Sequence, residues 1–242
     1  MSQQITTITF FRYDNLSAKL WAFQMMQFAH PYLQKVVDQT FYKLMGSGKD
    51  LGFNPWPDWS VYSLIQIWEN EQAANDFFQH SDLIKKYQNH ASEIWTLYMR
   101  NIKAHGAWSG VNPFAVSSEL DVKVLPIAAI TRATIKISKL RQFWSYVPTS
   151  EKPLENNEDL LFTKGIGEAP IIQMATFSLW KNMDALKKFS YQSREHQEAI
   201  KKTRKINWYK EELFARFQPY KSIGQWSNID LKSLFKANAI SF

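Results

Sequence analysis

In the stretch FSYQSREHQEAIKKTR, Phe189 to Arg204, one histidine falls in register with the apolar residues of an otherwise charged helix. His196, Ala199, Ile200 and Thr203 follow Phe189 at offsets of 7, 10, 11 and 14, which places His196 on the inward face. A histidine so placed is either a packed core residue or the ligand of something the chain holds. There is no HExxH and no second histidine three or four residues from His196, and on a helical wheel Glu195 and Glu198 point away from it. There is also no cysteine, which removes thiolate metal sites, thiolate-ligated haem, disulfides and cysteine nucleophiles. A lone histidine that binds metal must share it with a cofactor. Haem, with four porphyrin nitrogens and one proximal imidazole, has that form.

Two arginines are placed to serve such a group. Arg204, two turns beyond His196, either reaches a propionate or is a solvated cation at a helix end. Arg132 lies in the strand-like run AITRATI, where it must face outward or have its charge compensated by an anion; haem propionates or the oxygen being activated are candidates. Gly165-Ile166-Gly167-Glu168 lacks the Rossmann and P-loop contexts and reads as a turn before a strand. If the run from Trp208 to Phe217 is a strand, Phe214 and Arg216 share a face. Asp58, Trp59 and Tyr62 either line a pocket mouth or staple a loop, and His30, His80, His90 and His105 read as structural or surface residues.

These residues need elements to hold them. Hydrophobic residues make up 45% of the 242-residue chain and aromatics 15%, a folded composition with aromatic material to spare for a pocket. The chain opens without a signal-peptide pattern, and no apolar run approaches the length of a transmembrane helix. The net charge of +7 is scattered, with no nucleic-acid-binding signature.

Two halves repeat one plan. The first runs ITTITFFRYD, the helical LSAKLWAFQMMQFAHPYL, a glycine turn at Gly46-Ser47-Gly48, SVYSLIQIW, the helix NEQAANDFFQHSDLIKKYQNHASEIW and TLYMRNIKAHGAW. The second runs PIAAITRATIKI, SKLRQFWSYVP, the glycine turn at Gly165, IIQMATFSLW, NMDALKKFSYQSREHQEAIKKTRK and ELFARFQPYKSIGQW, so that Trp68 matches Trp180 and Trp108 matches Trp226. Each half has the β-α-β-β-α-β order of a ferredoxin-like unit. The fold expected is α+β: tandem ferredoxin-like halves over residues 1–114 and 127–226, joined by a linker at 115–126, followed by a tail at 227–242, and packed as one barrel.

The motifs KLMGSG, GFNPWPDWSVYSLIQIW, AITRATI, KGIGEAP, QMATFSLW and SREHQEAIKKTRKINWYKEELFARFQP resemble the spheroidene monooxygenase family, the acyclic carotenoid 2-ketolases, from about Thr9 to Trp226. The resemblance implies a haem-containing oxygenase with an architecture similar to chlorite dismutases, dye-decolourising peroxidases and aldoxime dehydratases. It implies His196 as the proximal ligand of haem b iron, with Glu168 and Arg204 near the cofactor and Arg132 stabilising negative charge as O₂ is activated. The substrate would be a carotenoid or similarly long apolar molecule, and an external donor would supply electrons. A haem lyase or peroxidase on the same scaffold, a non-catalytic haem carrier and a cofactor-free barrel stay open as alternatives. The expected setting is cytoplasmic, with room for an electron-donor protein, a homo-oligomer and peripheral contact of the GFNPWPDW aromatics with a membrane.

Overall fold

The computed structural model describes residues 3–49, 54–121, 126–145, 154, 157–192 and 206–227. His196 and Arg204 lie outside the described residues. The strands are β1 (Ile5–Arg12), β2 (Gln39–Gly48), β3 (Pro57–Trp68), β4 (Glu93–Gly106), β5 (Ile127–Ile135), β6 (Leu160–Ala169), β7 (Gln173–Trp180) and β8 (Tyr209–Gly224). The helices are α1 (Leu16–Phe28), α2 (His30–Leu33), α3 (Glu71–His80), α4 (Asp82–His90), α5 (Leu140–Trp144) and α6 (Met183–Gln192). The strands close into an antiparallel barrel in the order β1-β3-β2-β6-β7-β5-β8-β4, so the fold is α+β. Among the described residues no helix is long and apolar enough to cross a membrane.

The order β-α-β-β-α-β runs twice, and the two runs share a register: Ile5 faces Trp68 as Ile127 faces Trp180. They join at a long seam, β4 with β8, and a short one in which Gly46 pairs with Gly167 and Ser47 with Ile166. Alternation along each strand sends one set of side chains inward. Ile8, Phe10, Met45, Ile65, Leu97, Ile130, Phe177 and Phe217 fill the barrel, and Trp108 and Trp226 are buried with them. Phe10 and Trp95 each lie 5.0 Å, centroid to centroid, from Phe162. These side chains pack against one another across the interior.

Local chemistry differs from the sequence expectation in two places. Both glycine motifs, expected as turns, lie within β2 and β6; a Cβ on Gly167 would stand 2.6 Å from the Gln173 carbonyl, so glycine serves close backbone approach there. The expected helix after Trp68 is two helices, because Ser81 leaves α3 in extended conformation and its hydroxyl accepts the Leu83 amide of α4 at 3.2 Å. Helix α1 buries Ala18, Ala22 and Met25, while Leu16, Leu20 and Phe23 stay exposed. Its small residues set it closely against the sheet.

Gly106 and Gly224 end the strands of the long seam at φ +95° and +86°, and a Cβ on either would fall 2.1 Å from the Glu212 carbonyl or 2.0 Å from that of Ile94. Gly110 has a similar φ, +84°, with nothing within 4 Å. Gly110→Ala should therefore cost about 1 kcal/mol from backbone strain alone, and Gly106→Ala or Gly224→Ala about 2–3 kcal/mol because the strand end must also move. Equal losses for all three in urea unfolding would show that the close approach carries no weight.

Candidate functional site

Ile127 to Ile135 alternate across β5, so Arg132 shares the inward face of Ala128 and Ile130. Its side chain is 2% exposed, and the chain itself supplies the anion: Glu211 forms an ion pair with one guanidinium nitrogen, and Glu168 Oε1 lies 3.7 Å from another. Two carboxylates of the chain thus compensate the Arg132 charge. Glu168 in turn accepts the Trp108 indole N–H at 2.6 Å and pairs with Lys43 Nζ at 2.6 Å. Glu211 accepts the Ser109 and Gly110 amides at 3.1 and 2.7 Å. Together Arg132, Glu168, Glu211, Lys43 and Trp108 close the barrel end where β2 and β8 begin and β4, β5 and β6 finish.

Burial opposes ionisation of Glu211, but the Gly110 and Ser109 amides and the Arg132 guanidinium outweigh it and hold its carboxyl below the usual range. Sequence reading brought forward Arg132 and Glu168, and the structure brings them together. It missed Glu211, Lys43 and Trp108 as their partners. The signal for Glu211 was its alternation with Leu213, Ala215 and Phe217 on the inward face of β8.

The outer faces of the two sheets differ. Over the first, one apolar cluster runs unbroken from Ile5 to Tyr98. Over the second, the described residues form two clusters: Ile127, Ala129, Trp180 and Leu186 on one side, Ile135, Phe143, Met174 and Trp208 on the other. Between them Thr131 is exposed although its strand pairs on both sides, with Thr176 and Phe214 as its ladder partners. Arg216 lies with its guanidinium carbon 5.1 Å from the centre of the Phe214 ring, so the two do share a face, and among the described residues it has no carboxylate partner. At the start of β6 a surface cavity of about 560 Å³ is lined by Leu154, Leu160, Leu161, Phe162 and Thr163.

A second cleft, of about 240 Å³, opens over the short seam, with Asp58, Trp59 and Tyr62 all in its lining. Of the described histidines, His30 meets the Tyr42 hydroxyl at 3.0 Å, His90 stacks on Trp21 at 3.9 Å, and His80 and His105 are exposed. No three of His, Asp and Glu converge as a metal site among the described residues.

Two outcomes check the barrel-end network. Arg132→Met should cost about 3 kcal/mol in urea unfolding, since Glu211 and Glu168 both lose the buried cation that pairs with them. Because the folded carboxyl of Glu211 is held below its ordinary 4.5, its contribution is complete above that value and lost as pH falls through the depressed one. Glu211→Gln should therefore weaken the protein at pH 7 and narrow its stability difference between pH 7 and pH 3; an unchanged difference would contradict the assignment.

No family model matches the chain. Its fold is similar to that of a solved aldoxime dehydratase, with a TM-score of 0.61 at 10% identity over 90% of this chain and 82% of that one. A second aldoxime dehydratase, in complex with butyraldoxime, gives 0.61 at 11% identity over 99% and 87%. In sequence the chain is 35% identical to spheroidene monooxygenase of Cereibacter sphaeroides, over 94% of its own length and 70% of the relative's. To spheroidene monooxygenase of Rhodobacter capsulatus it is 33% identical, over 93% and 94%. A chain so similar to both along nearly its whole length belongs to the spheroidene monooxygenase family.

Proposed function

We propose that this monooxygenase inserts oxygen into a carotenoid or similarly long apolar substrate and depends on haem b to do so. The observation that carries the reading is the 35% identity, across 94% of the chain, to a protein named spheroidene monooxygenase. The repeated element order and shared register support reading residues 1–114 and 127–226 as two ferredoxin-like halves in a chlorite dismutase-like arrangement, with 115–126 as linker and 227–242 as tail.

The described residues fit a haem on the outer face of the second sheet. Ala129, Thr131, Ala133 and Thr176 keep that face low, so a flat ring can approach the backbone. The flanking apolar clusters would exclude water from its edges, and Arg216 is placed to pair with a propionate. His196 as proximal ligand and Arg204 as a further propionate partner lie outside the described residues. When bound, haem would supply O₂ activation with electrons from an external donor. Arg132 and Glu168 face the barrel interior, on the other side of the sheet, and in this reading brace it beneath the cofactor.

The exposed Leu16, Leu20, Phe23 and Trp59 would suit contact with the bilayer in which such a substrate dissolves. The test is the absorption spectrum as isolated, after reduction and with CO, followed by carotenoid feeding and product mass analysis. A Soret band lost in His196→Ala, together with an oxygenated carotenoid from wild type alone, is expected. Oxygenation by haem-free protein would overturn the cofactor, and haem-loaded protein without product would overturn the activity.

A further inference from the structure

Charge is distributed unevenly along the long seam. The β4–β8 ladder sets Arg100 opposite Gln218, Lys221 opposite Tyr98 and Lys103 opposite Arg216. Arg216 points to the outer face because its neighbours Ala215 and Phe217 fill the barrel, and Lys103, its ladder partner, lies on that face with it. Arg100 and Lys221 each have a carboxylate, Glu119 at 3.2 Å and Glu71 at 3.1 Å. Lys103 and Arg216 have none among the described residues and face each other across the ladder.

Like charges directly opposite one another destabilise a sheet, because their Cβ atoms stand only about 5 Å apart. The carboxylate that shares the outward side of β8, Glu212, is four residues from Arg216, about 13 Å along the strand, with Phe214 between them. The Phe214 ring lies 5.1 Å from the guanidinium carbon, a contact that leaves the hydrogen-bond donors of the guanidinium unused. Arg216 is half-buried and Lys103 exposed. On its other side Arg216 pairs with Ala129 of β5, so the two cations stand at the edge of the low face formed by Ala129, Thr131 and Ala133. A cation pair left without an anion beside an open, apolar-flanked face is matched to a ligand that brings the negative charge.

We propose that Lys103 and Arg216 together form the anion-binding end of the cofactor site, so that the carboxylate-bearing edge of a flat apolar ligand lies at the β4–β8 ladder and its body over β5. That this ligand is haem, with its two propionates at the pair, rests on the function proposed above. The like-charge pair itself does not, and in the empty protein it costs stability that the ligand restores.

The test uses the full chain prepared free of haem and titrated with haemin or with haemin dimethyl ester, in which both carboxylates are blocked, followed by tryptophan fluorescence quenching and the Soret band. Wild type should bind haemin at least about tenfold more tightly than the ester. Arg216→Met should weaken haemin about tenfold, and Lys103→Met, at the exposed position, about threefold, with the ester unaffected by either. Lys103→Glu gives Arg216 a partner within the chain: it should raise the urea midpoint of the haem-free protein at low salt and weaken haemin by about tenfold or more. Haemin bound as tightly by Arg216→Met and Lys103→Glu as by wild type would overturn the site and leave the haem reading intact. Equal weakening of haemin and ester would overturn the charge pairing, and a Lys103→Glu protein no more stable than wild type would overturn the unneutralised pair. Wild type that binds neither porphyrin overturns the haem reading and this ligand with it.

Discussion

Closing a barrel from two runs of the same element order requires two seams, and the shorter one constrains everything around it. Among the described residues, its ladder consists of Gly46 and Ser47 of β2 paired with Gly167 and Ile166 of β6. Gly167 has no space for a side chain because the Gln173 carbonyl passes so close, whereas Gly46 has open space where a side chain would stand. One glycine thus permits the junction to form, and the other leaves a cleft over it. The same junction brings α1, from the first half, beside the β6–β7 hairpin of the second.

The barrel interior treats equivalent positions in opposite ways. Counting from Ile5 and Ile127, which hold the same register, Phe10 and Arg132 occupy the same inward position. Phe10 packs with Trp95, Phe162, Phe177 and Trp226 in an aromatic end. Arg132 instead carries a buried charge, neutralised by Glu211 and Glu168. A buried ion network of this kind contributes little net stability compared with apolar packing. Its value lies in fixing one arrangement: the Trp108 indole and the Ser109 and Gly110 amides each find a bond only if the loop after β4 sits in one place.

The sequence made some of this legible and hid the rest for identifiable reasons. The strand holding Arg132 and the need for an anion beside it followed from local pattern, but Glu211 lies 79 residues away and its pairing is a property of the closed barrel. The repeat was legible through Trp68 and Trp180, which hold matching ladder positions. The glycine motifs were noticed and misread, because glycine most often marks a turn and the β2–β6 contact that demands it is non-local. In α1 the spacing marked a helix, while its buried face, Ala18, Ala22 and Met25, is set by close approach to the sheet.

The two seams also bear on how the chain reaches this state. Along the long seam Trp95 pairs with Gly224 and Gly106 with Leu213, so more than a hundred residues separate the partners at either end. Each half can order its own ladders first, but until the seams join, β2, β4, β6 and β8 each present an unpaired edge. Non-local pairing of this sort is slow because loop-closure entropy must be overcome before the contacts form. The wedged glycines at the ends of β4 and β8 therefore stand at a kinetic bottleneck as well as at a tight fit: the step that completes the barrel also removes the edges through which an unfinished chain would aggregate.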